Sequence, residues 1–378
     1  MRCAHFLAAS FLALLAGCPA SGPTPRERAE GHYIAGMSAY LRGDFKTALA
    51  ELEEVKKDAP DDPRLPAMLG EIALSQGRLR EALEHFDAAL ARDPKRGTSW
   101  SRKGYLLAQL GRRDEAQAAL RRALELSDAD FNALEQLGEL AHQAGRPEEA
   151  AAFFERAASR APQEARRSEL YLRAARALQP VSLARAREVL QRGADAGTRT
   201  PELLGEQADL EVRLGELRAA LSTYQQAAGR ASNDPIPWEM AGRVAEKLGD
   251  LQGAALAYQS SLRARPTGAV HAALGRVKLA LGDRDGGIAE VDAALASASG
   301  EEVRETLELA DLLEQVGRRA DALKLLQQLA AEPGAEKDQE LQLRTARLAK
   351  ASGDRAVAAA ACARLQRGPD GGTPPRCP

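Results

Sequence analysis

The sequence predicts an all-α protein, an α-solenoid of about ten helical hairpins, and three regularities carry that prediction. The first is a glycine at a 34-residue interval: Gly43, Gly77, Gly111, Gly145, and later Gly215 and Gly249. The second is an alanine five residues after each glycine: Ala48, Ala82, Ala116, Ala150, Ala220 and Ala254. The third is a small residue seven positions before it: Gly36, Gly70, Gly104, Gly138, Ala208 and Gly242. A period of this length is typical of stacked supersecondary repeats.

Each repeated glycine suits a tight turn between two helices, because glycine adopts the left-handed backbone conformation that ends a helix. Small residues at facing positions allow the two helices to approach closely. Proline ends a helix or occupies its first turn. We therefore expect four prolines to end second helices, Pro60, Pro94, Pro162 and Pro266, and Pro147 to lie in a first turn.

An apolar run from Phe6 to Gly17 precedes the repeats and follows the positive charge of Arg2. About a dozen residues are too few to cross a bilayer as a helix, so the run predicts a secretory signal over 1–17. Its end, Leu15-Ala16-Gly17-Cys18, resembles the lipobox of bacterial lipoproteins. The resemblance implies lipidation of Cys18, a spacer to residue 28 and, from the proline at position 19, the periplasmic face of the outer membrane. An ordinary cleaved signal followed by a coincidental cysteine is the alternative.

The composition is balanced in charge and poor in aromatic residues. Lys and Arg total 52 against 54 Asp and Glu, and aromatic residues make up 4%. No basic stripe is available for phosphates, which argues against a nucleic-acid partner. Of four cysteines, only Cys362 and Cys377 lie beyond the signal and the lipidation site, and their pairing is left open.

A fuller pattern accompanies the turn glycines. It reads Gly70, Ala82, Phe86, Ala89 and Pro94 in the second repeat, Trp100, Gly104, Ala116 and Ala123 in the third, and Trp238, Gly242, Ala254, Tyr258 and Pro266 in a later one. This pattern resembles the tetratricopeptide repeat (TPR), here in a bacterial TPR lipoprotein. The resemblance implies a right-handed solenoid of ten repeats, which begin near residues 29, 63, 97, 131, 167, 201, 235, 268, 303 and 339.

Departures from the pattern predict the domain organisation. Repeats one to four span 29–164, and an irregular repeat five spans 165–200, where "LQPVSLARA" with Pro180 replaces the turn glycine. Repeats six to ten span 201–367, and a disordered tail is predicted over 368–378. The last three repeats carry Val291, Leu326 and Cys362 where earlier ones carry aromatic or leucine residues, which predicts looser stacking.

In the resembled family the first helix of each hairpin lines a groove through its second, fifth, ninth and twelfth positions. The predicted partner-binding residues are Tyr33, Met37, Tyr40, Leu74, Ser101, Tyr105, Glu135, Glu139, His142 and Arg243. An aromatic and methionine patch near the anchor suits a peptide. The same patch could instead pack beneath the spacer or a neighbouring subunit, and the charges around Arg243 could form a solvated face of weak ion pairs.

Catalytic and metal-binding motifs are absent from the sequence, and four histidines beyond the signal fall in four different repeats. We therefore expect no enzyme, no cofactor and no metal. The predicted function is a lipid-anchored scaffold that binds a partner protein or peptide in the bacterial cell envelope, as an adaptor of an assembly, secretion or export complex. The alternatives are a periplasmic carrier of glycan or lipid, and an enzyme that uses groove acids such as Glu135 or Glu139.

Overall fold

The computed structural model describes residues 23–231, 233–297, 303–332 and 338–365, and all regular structure within these ranges is α-helical. The chain divides into two compact units, Met1–Pro162 and Gln163–Pro378. The first unit contains α1 (Pro25–Leu41), α2 (Phe45–Asp58), α3 (Arg64–Ser75), α4 (Leu79–Arg92), α5 (Gly97–Gln109), α6 (Arg113–Leu126), α7 (Phe131–Gln143) and α8 (Pro147–Arg160).

The second unit contains twelve helices within the described ranges. They are α9 (Glu164–Leu178), α10 (Leu183–Asp195), α11 (Pro201–Arg213), α12 (Leu217–Arg230), α13 (Pro235–Lys247), α14 (Leu251–Ala264), α15 (Gly268–Ala280), α16 (Arg284–Ser297), α17 (Val303–Gln315), α18 (Arg319–Ala330), α19 (Gln339–Ala351) and α20 (Arg355–Leu365). Each odd-numbered helix packs against the even-numbered helix that follows it, and within a unit successive hairpins also contact each other. The predicted all-α solenoid of ten hairpins is confirmed.

The turn inside nine of the ten described hairpins is closed by a left-handed glycine, and hairpin α9–α10 is the exception. At the six predicted turn positions the glycine φ lies between 69° and 78°, which is the left-handed conformation. At Gly77 the backbone N–H donates to the oxygen of Leu74, and the N–H of Arg78 donates to that of Ala73, both at 2.9 Å. These bonds satisfy carbonyl groups that the end of α3 leaves free, so the glycine ends the helix as the spacing predicts.

Proline and aspartate define several of the other helix ends. Helices α2, α4, α8 and α14 each end two residues before a proline, and α8 begins at Pro147. Asp44 caps α2, because its Oδ1 accepts the N–H of Thr47 at 3.1 Å. Local chemistry of this kind determines helix length before any packing is considered.

The core lies between the two helices of each hairpin and between neighbouring hairpins. Phe86, Phe154 and Tyr258 from second helices are among the largest fully buried side chains. Each packs on a glycine of the first helix, and a Cβ added at Gly138 would lie only 2.7 Å from the ring of Phe154. The small residue of the repeat is therefore a condition for close helix packing.

Repeat five forms a complete hairpin in spite of its missing turn glycine. Helices α9 and α10 are joined across residues 179–182, and Ser182 caps α10 by accepting the N–H of Arg185 at 3.3 Å. A left-handed glycine, Gly197 with φ 89°, follows α10 instead. The predicted domain limits, including 165–200, stay a prediction.

The last repeats replace aromatic residues with smaller ones, as the sequence indicates. Val291 and Leu326 are buried, whereas Cys362 is half-buried and disulfide-bonded. The predicted signal over 1–17, Cys18 and the whole predicted tail over 368–378, with Cys377, lie outside the described residues. Within the described ranges, no helix combines the length and apolar character needed to span a bilayer.

Candidate functional site

An open groove of about 810 Å³ runs across the first helices of four consecutive hairpins in the second unit. It is lined by α11, α13, α15 and α17, with contributions from α12 and α14. We call it the α11–α17 groove. Repeated side chains from several helices thus face a common space, which single helices could not enclose.

Three positions of the repeat, counted from residues 201, 235, 268 and 303, supply half of the lining residues. The sixth position supplies Glu206, Met240, Ala273 and Glu308; the ninth supplies Asp209, Arg243 and Arg276; the thirteenth supplies Arg213 and Lys247. Residues three before and four after the ninth position share one helix face, so the three rows run side by side.

The floor of the groove is formed by small and apolar side chains. Helix α15 contributes Ala269, Ala272 and Ala273, and α13 contributes Met240 and Val244. Three alanines on the groove face of one helix leave room that longer side chains would fill. The floor can therefore accept a bulky apolar side chain of a ligand.

Charged side chains of both signs surround this floor. The cations are Arg213, Arg243, Lys247, Arg276 and Arg304, and the carboxylates are Glu206, Asp209, Glu246, Glu305 and Glu308. Arg276 lies between two carboxylates, with Nη2 at 3.0 Å from Glu246 and Nη1 at 3.6 Å from Glu308. These pairs are partly exposed, and each contributes only about 0–1 kcal/mol of stability. They can be exchanged for charges of a partner at low cost.

Two cations of the groove are not neutralised by a carboxylate within the described residues. Arg213 donates to the amide oxygen of Gln179 at 3.0 Å, and Lys247 is exposed without an ion pair. Arg243, by contrast, pairs with Glu239 at 2.7 Å. The thirteenth positions of repeats six and seven thus offer positive charge to an incoming acidic group.

Two tyrosines support the groove from the second helices. The hydroxyl of Tyr224 donates to Asp209, and burial together with this carboxylate raises the pKa of Tyr224 above its ordinary value. Burial, reinforced by the negative charge of Glu246, likewise raises the pKa of Tyr258. Both rings are buried, so they position the groove walls and present no open ring face.

The predicted aromatic patch of the first unit is largely occupied by the protein itself. The guanidinium carbon of Arg64 lies 4.3 Å from the ring centroid of Tyr33. The hydroxyl of Tyr40 is 3.1 Å from that of Ser75. Met37 alone of the three is more than one-third exposed, at 39%. A partner would reach Met37 more readily than either ring.

The other predicted residues of the first unit differ in accessibility. Leu74, Tyr105 and Glu139 are half-buried, and His142 is exposed. Ser101 and Glu135 are buried, each with 7% of its surface exposed, so a partner would reach them less easily than an open groove position. Of the predicted site residues, only Arg243 lies in the α11–α17 groove.

Sequence reasoning missed the sixth and thirteenth positions of the first helix. Met240 and Lys247 line the groove there and flank Arg243, which was predicted. The helical period contains the necessary signal, because offsets of three and four residues return to the same face. Assigning the groove to the ninth position should therefore have included its neighbours at the sixth and thirteenth.

Two histidines of first helices form structural pairs. Nδ1 of His32 lies 2.7 Å from Oε2 of Glu51, and the same distance separates His271 from Glu290. In the described part of the chain, no cluster of three or more His, Cys, Asp or Glu residues could hold a metal ion.

Paired helices with closely packed small residues, stacked so that their first helices share a groove, define an α-helical repeat protein. Two family models described as tetratricopeptide repeat match the sequence, one over residues 39–110 and the other over 101–165 and 206–269. Together they cover just over half of the chain. The chain belongs to the tetratricopeptide repeat family, whose repeats indicate a protein-interaction scaffold that binds proteins or peptides.

Individual known proteins resemble the chain more distantly. Protein CTR9 homolog of Arabidopsis thaliana is 28% identical over 141 residues, which is 36% of this chain and 13% of that protein. The chain therefore matches only a small part of this relative's length.

Some solved structures are similar to the chain as well. A MamA structure is 17% identical with a TM-score of 0.37, covering 50% of this chain and 96% of that chain. A structure of pilF from Pseudomonas aeruginosa is 20% identical with a TM-score of 0.36, covering 64% and 94%. A tetratricopeptide repeat protein from Parabacteroides merdae is 19% identical with a TM-score of 0.33, covering 77% and 99%.

Proposed function

We propose that this protein is a lipid-anchored TPR scaffold that holds a partner protein or peptide in the bacterial cell envelope. It acts as an adaptor of an assembly, secretion or export complex, faces the periplasm from the outer membrane, and carries no catalytic site or cofactor. Lipidation of Cys18 is its anchor. The observation that carries the proposal is the α11–α17 groove, an open surface built by repetition.

The chemistry of the groove favours a polypeptide segment as the ligand. Its alanine floor suits an apolar side chain, and its rim offers five cations and five carboxylates. A polypeptide can present apolar and charged groups at the spacing of successive repeats. The uncompensated Arg213 and Lys247 favour an acidic residue at one point of that segment.

A glycan carrier is the less favoured alternative. Sugar rings bind through open aromatic faces, and the two tyrosines that line the groove, Tyr224 and Tyr258, are 3% and 0% exposed. Neither ring can stack on a sugar without rearrangement of its hairpin. This difference favours protein binding.

Two features support the envelope location. The Leu15-Ala16-Gly17-Cys18 sequence resembles a lipobox, and the disulfide bond of Cys362 suits an oxidising compartment. An anchor would confine the groove to a thin layer near the membrane. Confinement raises its effective concentration toward membrane-bound partners without any additional contact.

The partner-binding role is tested by crosslinking intact envelopes and purifying the tagged protein. We expect one stoichiometric protein with the wild type and a strong loss of it with Lys247→Glu, which reverses an unpaired groove charge. Lys324→Glu on α18 is the matched control, because Lys324 is also an exposed lysine but lies outside the groove. Retention of glycan without any protein would overturn the proposal in favour of the carrier.

The anchor is tested separately by labelling cells with a radioactive fatty acid. We expect label on the wild-type protein and none on the Cys18→Ala variant. The variant should also be found outside the membrane fraction. A wild-type protein that stays unlabelled would show that the signal is an ordinary one, and it would leave partner binding by the groove as an independent question.

A further inference from the structure

Three large apolar side chains of α1 are exposed on one face of the helix. Ile34, Met37 and Leu41 are exposed to 50%, 39% and 76%. Their spacing of three and four residues places them in one line along the helix. Exposed apolar residues grouped in this way indicate a contact surface, whereas single ones do not. We call this line the α1 stripe.

The α1 stripe is peculiar to the first hairpin. Leu41 lies two residues before the turn glycine, where the next repeats of the first unit carry Ser75, Gln109 and Gln143. In repeats six and seven the same position carries Arg213 and Lys247. The repeat itself therefore does not require an apolar residue there, and the stripe needs another explanation.

Basic residues lie at the end of the stripe, in the first hairpin turn and in the first turn of α2. Arg42 and Lys46 are exposed, and neither forms an ion pair within the described residues. The nearby Asp44 caps α2 by accepting the N–H of Thr47. A hydrogen bond from the side chain of Thr47 and, next, the one from its N–H lower the pKa of Asp44, and both cations lower it further. At the other end of α1, the carboxylate of Glu30 is paired with Arg64 at 2.6 Å. The exposed end of the stripe thus combines apolar surface with positive charge.

The proposed anchor lies close to this helix along the chain. Six residues lie between Cys18 and Pro25, where α1 begins, and the seven steps along the chain reach at most about 25 Å. Helix α1, with 17 residues, is itself about 25 Å long. A bilayer that holds Cys18 is therefore within reach of the whole stripe. Residues 18–22, "CPASG", contain no large apolar side chain that could cover it.

We propose that the α1 stripe, with Arg42 and Lys46, binds the surface of an anionic phospholipid bilayer. The proposal rests on the lipid anchor proposed above. Ile34, Met37 and Leu41 enter the boundary between headgroups and acyl chains, and the two cations contact lipid phosphates. The anchor alone leaves the solenoid free to swing, whereas this second contact fixes the orientation of its first hairpin on the membrane.

The test uses the whole chain without residues 1–17 and with Cys18→Ala, which removes no described helix. Binding is measured by sedimentation with anionic vesicles of phosphatidylethanolamine and phosphatidylglycerol, and it is compared with binding to neutral phosphatidylcholine vesicles. We expect the combined substitution Ile34→Ser, Met37→Ser and Leu41→Ser to lower binding about tenfold or more. Arg42→Gln with Lys46→Gln should lower it severalfold on the anionic vesicles only.

Matched controls lie on second helices of the second unit. Leu256→Ser, which removes a side chain that is 65% exposed, and Lys324→Gln should both leave vesicle binding unchanged. Thermal melting shows whether the triple variant folds, and the Arg42 and Lys46 variant provides a second test if it does not. An unlipidated chain that ignores anionic vesicles would overturn the proposal. A triple variant that binds anionic vesicles normally would also overturn the proposal. This includes a triple variant that instead loses self-association or a crosslinked partner protein.

The protein in the vesicle assay carries no acyl chain, and no partner protein is present. Failure of this assay is therefore distinct from the absence of label on Cys18 and from the absence of a protein captured through the groove. If the α1 stripe binds vesicles but the wild-type protein carries no acyl chain in cells, the membrane-binding surface is supported and lipidation of Cys18 is contradicted.

Discussion

The glycine at the eighth position of a first helix determines how closely the two helices of its hairpin approach. A Cβ added at Gly242 would lie 2.6 Å from Cε1 of Tyr258, a fully buried ring that cannot easily move. We expect Gly242→Ala to lower the free energy of unfolding by about 1–3 kcal/mol, as overpacked cores do. Urea denaturation of both proteins measures the difference.

Gly205→Ala is the control for this substitution. Gly205 is also inside a helix, α11, but a Cβ there would meet no atom within 4 Å. Since alanine favours helix by about 0.5–1 kcal/mol over glycine, this variant should be more stable than the wild type. Equal destabilisation by both substitutions would show that close packing at Gly242 is not the cause.

The carboxylate of Glu290 makes the free energy of unfolding depend on pH in the acid range. Burial opposes its ionisation, but Lys278 and His271, each at 2.7 Å, outweigh burial and lower its pKa. A pKa that is lower in the folded than in the unfolded state stabilises the protein at pH values above the unfolded pKa, which is about 4.3. This stabilisation is lost as pH falls through the folded pKa. We expect Glu290→Gln to be less stable than the wild type at neutral pH, with the difference vanishing in acid.

Chemical denaturation across the acid range measures this prediction. Glu188→Gln is the control, because Glu188 is exposed on α10 and should change stability little at any pH. A difference between wild type and Glu290→Gln that persists below the folded pKa would contradict the electrostatic account.

At the scale of the helix, we expect the cost of replacing a turn glycine to come from its left-handed backbone conformation and not from contacts of the new side chain. Gly249 has a φ of 77°, and a Cβ there would meet no atom within 4 Å. We expect Gly249→Ala to lower stability by about 1–2 kcal/mol, because a left-handed alanine is strained. Gly249→Asn should cost less, since asparagine tolerates this conformation. Thermal unfolding compares them, and an alanine variant as stable as the wild type would exclude strain.

Helix ends could be predicted from the sequence, and the accessibility of side chains could not. Glycine and proline act on the backbone within a few residues, so Gly77 or Pro94 predicts a helix end without knowledge of the neighbours. Tyr33 and Tyr40, in contrast, contact Arg64 and Ser75 of the following repeat. The spacing within one repeat contains no information about these partners. The pair of His271 and Glu290, which lies within one hairpin, was also missed.

For the whole molecule, a stack of hairpins implies stability that depends on the number of neighbours. Hairpin α1–α2 and hairpin α19–α20 each contact one adjacent hairpin, whereas inner hairpins such as α5–α6 contact two. We expect amide hydrogen exchange to be fastest in the two outer hairpins and slowest in the inner ones. Protection that disappears uniformly along the chain would indicate one cooperative core instead.

The groove was only partly predictable at this scale. Its existence follows from the repeat, and Arg243 was identified, but the alanine floor arises from α15 alone. Nothing in the periodicity distinguishes Ala272 from a repeat position that another side chain could occupy. The proposed anchor at Cys18 is a different case, because a lipobox would be recognised by enzymes and would leave no trace in the folding of α1 to α20.

The most direct test of the scaffold function places a photo-crosslinking amino acid at position 247 in living cells. The account predicts that illumination joins this site to one discrete protein, and that the same amino acid at position 324 captures little. Both positions are exposed lysines in the second unit, so they differ chiefly in whether they face the α11–α17 groove. Equal capture at the two positions, or no protein captured at 247, would contradict a partner held in the groove.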